Sequence, residues 1–126
     1  MLSHTLQSDH LAFVTVGDVD YAEGLKVLSE GLDLYAAKKP NPARVLFDIR
    51  RSTENRGSDE IRGIVEVVTQ RMGPARVVVV ASTPLLFGMS RMLTAYLGIR
   101  GVEAAVFQEP EDAVRWLLSD ETEPSH

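Results

Sequence analysis

The chain has no cysteine among its 126 residues, which removes disulfide frameworks, thiolate nucleophiles, thiolate zinc sites and thiol redox chemistry together. It has no GxSxG, no P-loop, no GxGxxG and no HExxH, so the short motifs with known mechanics are missing as well. Histidine is scarce and peripheral: His4 and His10 lie near the N-terminus and His126 is the final residue. A histidine-based triad or metal site would need a terminal arm to fold back over the core. On these grounds we expect no enzyme, no catalytic residue, no metal and no cofactor.

Long apolar runs are missing too. No stretch approaches the roughly 18 apolar residues of a membrane span, and the opening MLSHTLQSDH has no basic segment followed by an apolar run. A cytoplasmic, soluble protein without a membrane span is the expectation. Basic residues are outnumbered, 13 Lys and Arg against 18 Asp and Glu for a net charge of −5. Affinity for a polyanion comes mainly from Lys and Arg, so nucleic acid is not an expected partner.

What is present is ordinary globular composition, with 44% hydrophobic and 25% charged residues. The length suffices for one domain with a continuous core that needs no staple. We expect that domain over residues 1–118, followed by a disordered acidic tail, SDETEPSH, over residues 119–126.

The stretch Arg76 to Gly98 organises the chain. Its run Val77 to Val80 is β-branched throughout, the pattern of a strand covered on both faces. Thr83 then stands as an N-cap before Pro84 at the first helical position, and Gly98 fits the C-terminal cap. Leu85, Met89, Met92, Leu93 and Tyr96 form the expected apolar face of that helix. Elsewhere, LAFVTV from Leu11 to Val16 reads as a strand that pairs with the preceding HTLQ in an N-terminal hairpin. Asp20 caps a helix whose stripe is Tyr21, Leu25, Leu28, Leu32 and Tyr35, and KKPNP stops it.

Arg44 to Ile49, RVLFDI, reads as a central strand and Arg50 to Gly57 as a loop. Ser58 opens a second helix with an acidic first turn and the stripe Ile61, Ile64, Val65, Val68 and Met72, ended by Gly73 and Pro74. A last strand, Val102 to Phe107, leads to a helix from about Pro110 to Leu118. Strands alternating with helices imply an α/β sandwich of two or three layers on a mostly parallel sheet, with about four helices.

Several residues interrupt this pattern. Asp48 breaks an apolar run near the C-terminal edge of a central strand, where ligands bind in open α/β sheets. It either caps the following loop, pairs with Arg50 or Arg51, or serves a ligand. Ser82 and Thr83 stand at a helix N-terminus, whose free N–H groups favour an anion, although capping alone explains them. Arg50, Arg51 and Arg56 follow the neighbouring strand and would complete a site for one phosphate or carboxylate if they converged on it. Phe87 falls away from the Leu85, Met89 and Met92 face. It is covered by a loop, marks a partner surface, or lines a small apolar pocket with Leu86 and the Met side chains.

The order of elements, with FDIR at Phe47 to Arg50, VVVVASTPLLFGMSRM at Val77 to Met92 and VFQEPEDAVRWL at Val106 to Leu117, resembles the SpoIIAA-like family. That family is grouped with STAS domains, the anti-sigma-factor antagonists, and with lipid-binding CRAL-TRIO folds. The likeness runs from about Leu11 to Leu118 and implies a fold more than an activity. Anti-sigma antagonists carry a strand ending in aspartate, then a loop and an Asp-Ser pair whose serine is phosphorylated. Asp48 matches the strand aspartate, and Ser58 falls near the phosphoacceptor in the order Gly57, Ser58, Asp59 instead of Asp-Ser. As the alternative, Ser58 is simply the helix N-cap.

Two functions follow as expectations. The resemblance implies a non-enzymatic regulatory or interaction module, with a protein partner or a homodimer and Ser58 as candidate phosphoacceptor. The alternative is a binder of a small anionic or amphipathic, lipid-like ligand at the C-terminal edge of the sheet, held by Asp48, Arg50, Arg51, Ser82, Thr83 and Phe87.

Overall fold

Strand β4 (Ala75–Val80) is buried at every position, and its two faces belong to two separate apolar clusters. Val77 and Val79 join Leu11, Phe13, Val45 and Phe47 on one side; Val78 and Val80 join Leu46, Ala113 and Leu117 on the other. The alternation of side chains along a strand assigns each set to one face. The β-branched run thus marks the centre of a three-layer sandwich. The computed structural model describes residues 1–73 and 75–119.

Around β4 the sheet is ordered β1 (Leu2–Leu6), β2 (Leu11–Gly17), β3 (Ala43–Ser52), β4 and β5 (Glu103–Phe107), in chain order. β1 runs antiparallel to β2, and the other neighbours are parallel. The Gln7 amide donates to the His10 carbonyl (2.9 Å) and closes the hairpin. Successive crossovers in one direction place α1 (Tyr21–Ala36), α2 (Ser58–Arg71) and α3 (Pro84–Ile99) side by side on the larger cluster. Among the described residues, only α4 (Pro110–Leu117) covers the opposite face, over β3 to β5.

Local chemistry sets the helix ends. Asp20 accepts the Glu23 amide (3.1 Å) at the start of α1, and Thr83 accepts the Leu86 amide (3.2 Å) before Pro84 opens α3. Gly31 in α1 lets the helix approach the sheet closely, since a Cβ there would lie 2.8 Å from Phe13 Cζ. Arg76 is 5% exposed under α4. Its guanidinium lies 4.3 Å from the Trp116 ring centre and donates to the carbonyls of Leu117 (3.4 Å) and Ser119 (2.5 Å), tying down the end of α4.

Four expectations need correction. β3 continues through Arg50, Arg51 and Ser52, because Val16 and Gly17 of β2 pair with Arg51 and Ser52 beyond a register shift. Polar side chains there reflect exposure and leave the pairing intact. α3 turns Leu86, Ser90 and Leu97 inward, with Leu93 and Tyr96 beside them, while Leu85 is 56% exposed. Apolar residues lie on most sides of α3, so periodicity alone could not choose the buried one. Its terminal glycine is Gly101, at φ 84°, and not Gly98, which is still helical. Ser58 is the first residue of α2 and not its cap; Gly57 takes that place, with no side-chain cap bond.

α2 ends at Arg71 with Met72 as its extended C-cap, one residue short of the expected stop at Gly73, while Pro74 and residues 120–126 of the expected tail lie outside the described residues.

Candidate functional site

Between the sheet and α1 to α3, toward the C-terminal ends of β2, β3 and β4, the larger apolar cluster leaves a cavity of about 100 Å³. Leu25 and Leu28 of α1, Phe47 of β3, Ile64 of α2, Val79 of β4 and Leu93 of α3 line it. Protein interiors seldom leave a void much larger than a water molecule, so the local sequence must explain this one. Two inward positions of the surrounding helices carry small residues, Gly24 in α1 and Ser90 in α3, and both line the cavity. A Cβ on Gly24 would already lie 3.3 Å from Val19 Cγ1.

The polar lining is confined to few groups. Ser90, 2% exposed, donates its hydroxyl to the Leu86 carbonyl (2.8 Å) within its own helix. Thr15, 7% exposed, shares the inward face of β2 with Leu11 and Phe13 and reaches the same cavity. Its hydroxyl has no hydrogen-bond partner among the described residues.

The loops after β2 and β3 supply a charged cluster beside these groups. Arg56 donates through Nη2 to Glu54 Oε2 (2.6 Å) and the Val19 carbonyl (2.5 Å), and through Nη1 to Glu60 Oε1 (3.3 Å). Its backbone N–H donates to Met89 Sδ (3.2 Å), joining this loop to α3. Glu54 Oε2 also accepts the Val19 amide (3.1 Å), so one carboxylate fastens both loops. The Arg56 guanidinium stands 5.1 Å from the Tyr21 ring centre, a cation–π distance. Burial opposes the charge on Arg56, but Glu54 and Glu60 outweigh it and raise its pKa. Burial, and then the Glu60 charge, raise the Tyr21 pKa against the pull of Arg56. The phenol therefore stays protonated and donates to the Glu60 carbonyl (2.7 Å).

No family model matches the chain, and no curated protein does. Among solved structures it is similar to an uncharacterized protein of the DUF3478 family from Shewanella loihica PV-4, described as having a SpoIIAA-like fold. The TM-score is 0.65 at 18% identity, over 93% of this chain and 92% of that one. The chain has a SpoIIAA-like fold. At that identity the likeness carries the fold alone, so the residues must speak for the site.

In this SpoIIAA-like structure the residues singled out from sequence separate into three places. Asp48 and Arg50 sit two apart in β3 and pair with each other: Arg50 Nε and Nη2 donate to the two carboxylate oxygens at 2.9 and 2.7 Å. The Arg50 amide adds a bond at 3.2 Å. Partial burial works to raise the Asp48 pKa, but the bonds and charge of Arg50, helped by Arg51, win and hold it below the usual value. Asp48 thus has the arginine pairing that sequence offered as its alternative role. Arg51 is exposed at the end of the same strand.

Ser82, Thr83 and Phe87 do come together, with Arg91 and Gln108, in a shallow depression open to solvent. Neither Asp48, Arg50 nor Arg51 lines it, and Arg56 is held in the cavity cluster by Glu54, Glu60 and the Val19 carbonyl. The arginine convergence that would build an anion site there does not occur. Phe87, away from the expected apolar face, is half-buried. Ser58 is exposed at the start of α2.

Sequence reasoning missed Thr15, Tyr21 and Glu54 as site residues and grouped Arg56 with Arg50 and Arg51 as a candidate anion site. A signal was available. Thr15 interrupts the inward apolar alternation of Leu11 and Phe13 in β2, whereas Gly24 and Ser90 fall outside the stripes expected for α1 and α3, so their inward placement was not legible.

Proposed function

We propose that this SpoIIAA-like protein is a non-enzymatic binding module that takes a small, largely apolar molecule into the cavity beneath α1 to α3. The observation that supports this reading is the cavity itself, apolar over most of its wall and bordered by a pre-formed polar cluster. That combination is the usual signature of a ligand site. At about 100 Å³ it falls below the roughly 300–1,000 Å³ of drug-sized pockets. It stands nearer the ~150 Å³ apolar cavities that admit benzene or xenon. The ligand, or the part of it that enters, is one ring or a short branched chain.

Methyl-resolved NMR during titration with toluene tests the proposal. Shifts should centre on Leu28, Ile64 and Leu93 and be lost in Ser90→Leu, whose larger side chain occupies the space. Shifts scattered over the surface, or an unchanged response in a folded Ser90→Leu protein, would overturn it.

A second reading, the regulatory interaction module, is favoured by Ser58. Its hydroxyl is exposed and makes no capping bond at the start of α2. A phosphate there would meet the favourable end of the helix dipole. Incubation with host lysate and ATP, followed by mass spectrometry, should then find phosphate on Ser58; none on Ser58 sinks this reading.

A further inference from the structure

Resting on the cavity reading above, we infer that the site selects an uncharged ligand bearing one hydrogen-bonding group, with Thr15 Oγ1 as its polar contact. The Glu54–Arg56–Glu60 cluster acts as a barrier to anions. The Ser90 hydroxyl donates to the Leu86 carbonyl and the Tyr21 hydroxyl to the Glu60 carbonyl, and Glu54 is a carboxylate, so these three groups can only accept a further bond. Arg56 is engaged by Glu54, Glu60 and the Val19 carbonyl.

Thr15 remains, buried at 7% exposure, lining the cavity and without a hydrogen-bond partner among the described residues. A hydroxyl both donates and accepts, so an alcohol, phenol or carbonyl group on the ligand satisfies it. The Thr15 hydroxyl is not among the fully enclosed unpartnered atoms, so it is open to such a group from the cavity side.

Charge decides the rest. The cluster holds one guanidinium against two carboxylates, +1 − 2 = −1. An anionic ligand would approach a net negative rim and would have to displace Glu54 from a 2.6 Å ion pair to use Arg56. A cationic ligand would leave its charge in an apolar chamber, since the wall beyond the rim offers no carboxylate. The arrangement therefore opposes the anionic ligand that the sequence pattern suggested, and does so at residues other than those the pattern named.

NMR titrations with four probes of nearly equal size test this: toluene, phenol, benzoate and benzylammonium. Phenol should bind tightest, about fivefold better than toluene for one net hydrogen bond, and benzoate should bind at least about tenfold more weakly than phenol. In Thr15→Val the advantage of phenol over toluene should vanish, while Thr15→Ser, which keeps the hydroxyl, retains it. Benzoate or benzylammonium binding more tightly than phenol would overturn the uncharged class and leave the cavity-binding reading standing. A phenol advantage that survives in Thr15→Val would remove Thr15 from the account. If no probe moves the cavity signals, the binding reading fails, and this inference with it.

Discussion

Replacing Arg56 with alanine should reveal whether the charged rim is closed in solution. The Arg56 and Glu54 side chains are only 13% and 12% exposed, so removing the guanidinium strands a carboxylate with little water around it. Breaking a buried pair in this way costs about 3–5 kcal/mol. Partial exposure places this pair at the lower end. Glu60 is 42% exposed and contributes under ~1 kcal/mol, and the lost contact with the Tyr21 ring adds about 0.5–1 kcal/mol. A total of ~4 kcal/mol is expected.

Urea denaturation followed through the single tryptophan, Trp116, measures it. The double variant Glu54→Gln/Arg56→Met should recover at least half of the loss, since a glutamine carbonyl can still accept the Val19 amide. A loss below ~1 kcal/mol, with no coupling between the two positions in the double-mutant cycle, would refute the reasoning: the loops after β2 and β3 would then be open and the rim unformed.

Three further outcomes follow from single contacts. Asp48 has a folded pKa below its ordinary 3.8, so its contribution is present above that value and lost as pH falls through the folded one. Wild type should lose stability on going from pH 5 to pH 2 more steeply than Asp48→Asn, and parallel urea midpoints would contradict the pairing with Arg50. Thr83→Ala should cost about 1 kcal/mol of stability through loss of the cap on α3, read from the thermal midpoint; no change would mean that the helix start is held by other contacts. Gly31→Ala places a methyl 2.8 Å from Phe13 Cζ and should cost about 1–3 kcal/mol from overpacking, whereas a neutral result would show that α1 can lift from the sheet without penalty.

The fold was legible because its signals are local and repeated. The run at Val77 to Val80, the caps at Asp20 and Thr83, and the stripe at Ile61, Val65 and Val68 each follow from backbone chemistry within a few residues. Where several faces of a helix are apolar, as in α3, that information ran out, and packing against α2 and β5 selected Leu86, Ser90 and Leu97. The candidate site was illegible for a related reason. A cavity consists of volume that side chains fail to fill, and it depends on Thr15, Gly24 and Ser90 meeting across three elements far apart in sequence. The residues that attracted notice, Asp48 and Arg50, are neighbours on one strand face and neutralise each other locally. The Glu54–Arg56–Glu60 cluster was visible as charges in order, but its meaning depended on which face of the sheet the loop after β3 covers.

The central claim is that an apolar space exists beneath α1 to α3 and accepts a small nonpolar guest. A crystal structure determined under xenon pressure tests it most directly, because xenon occupies dry apolar cavities without needing a polar partner. The account predicts a xenon atom among Leu28, Ile64 and Leu93, absent in Ser90→Leu. Side chains collapsed to fill that space, with xenon elsewhere or nowhere, would contradict it.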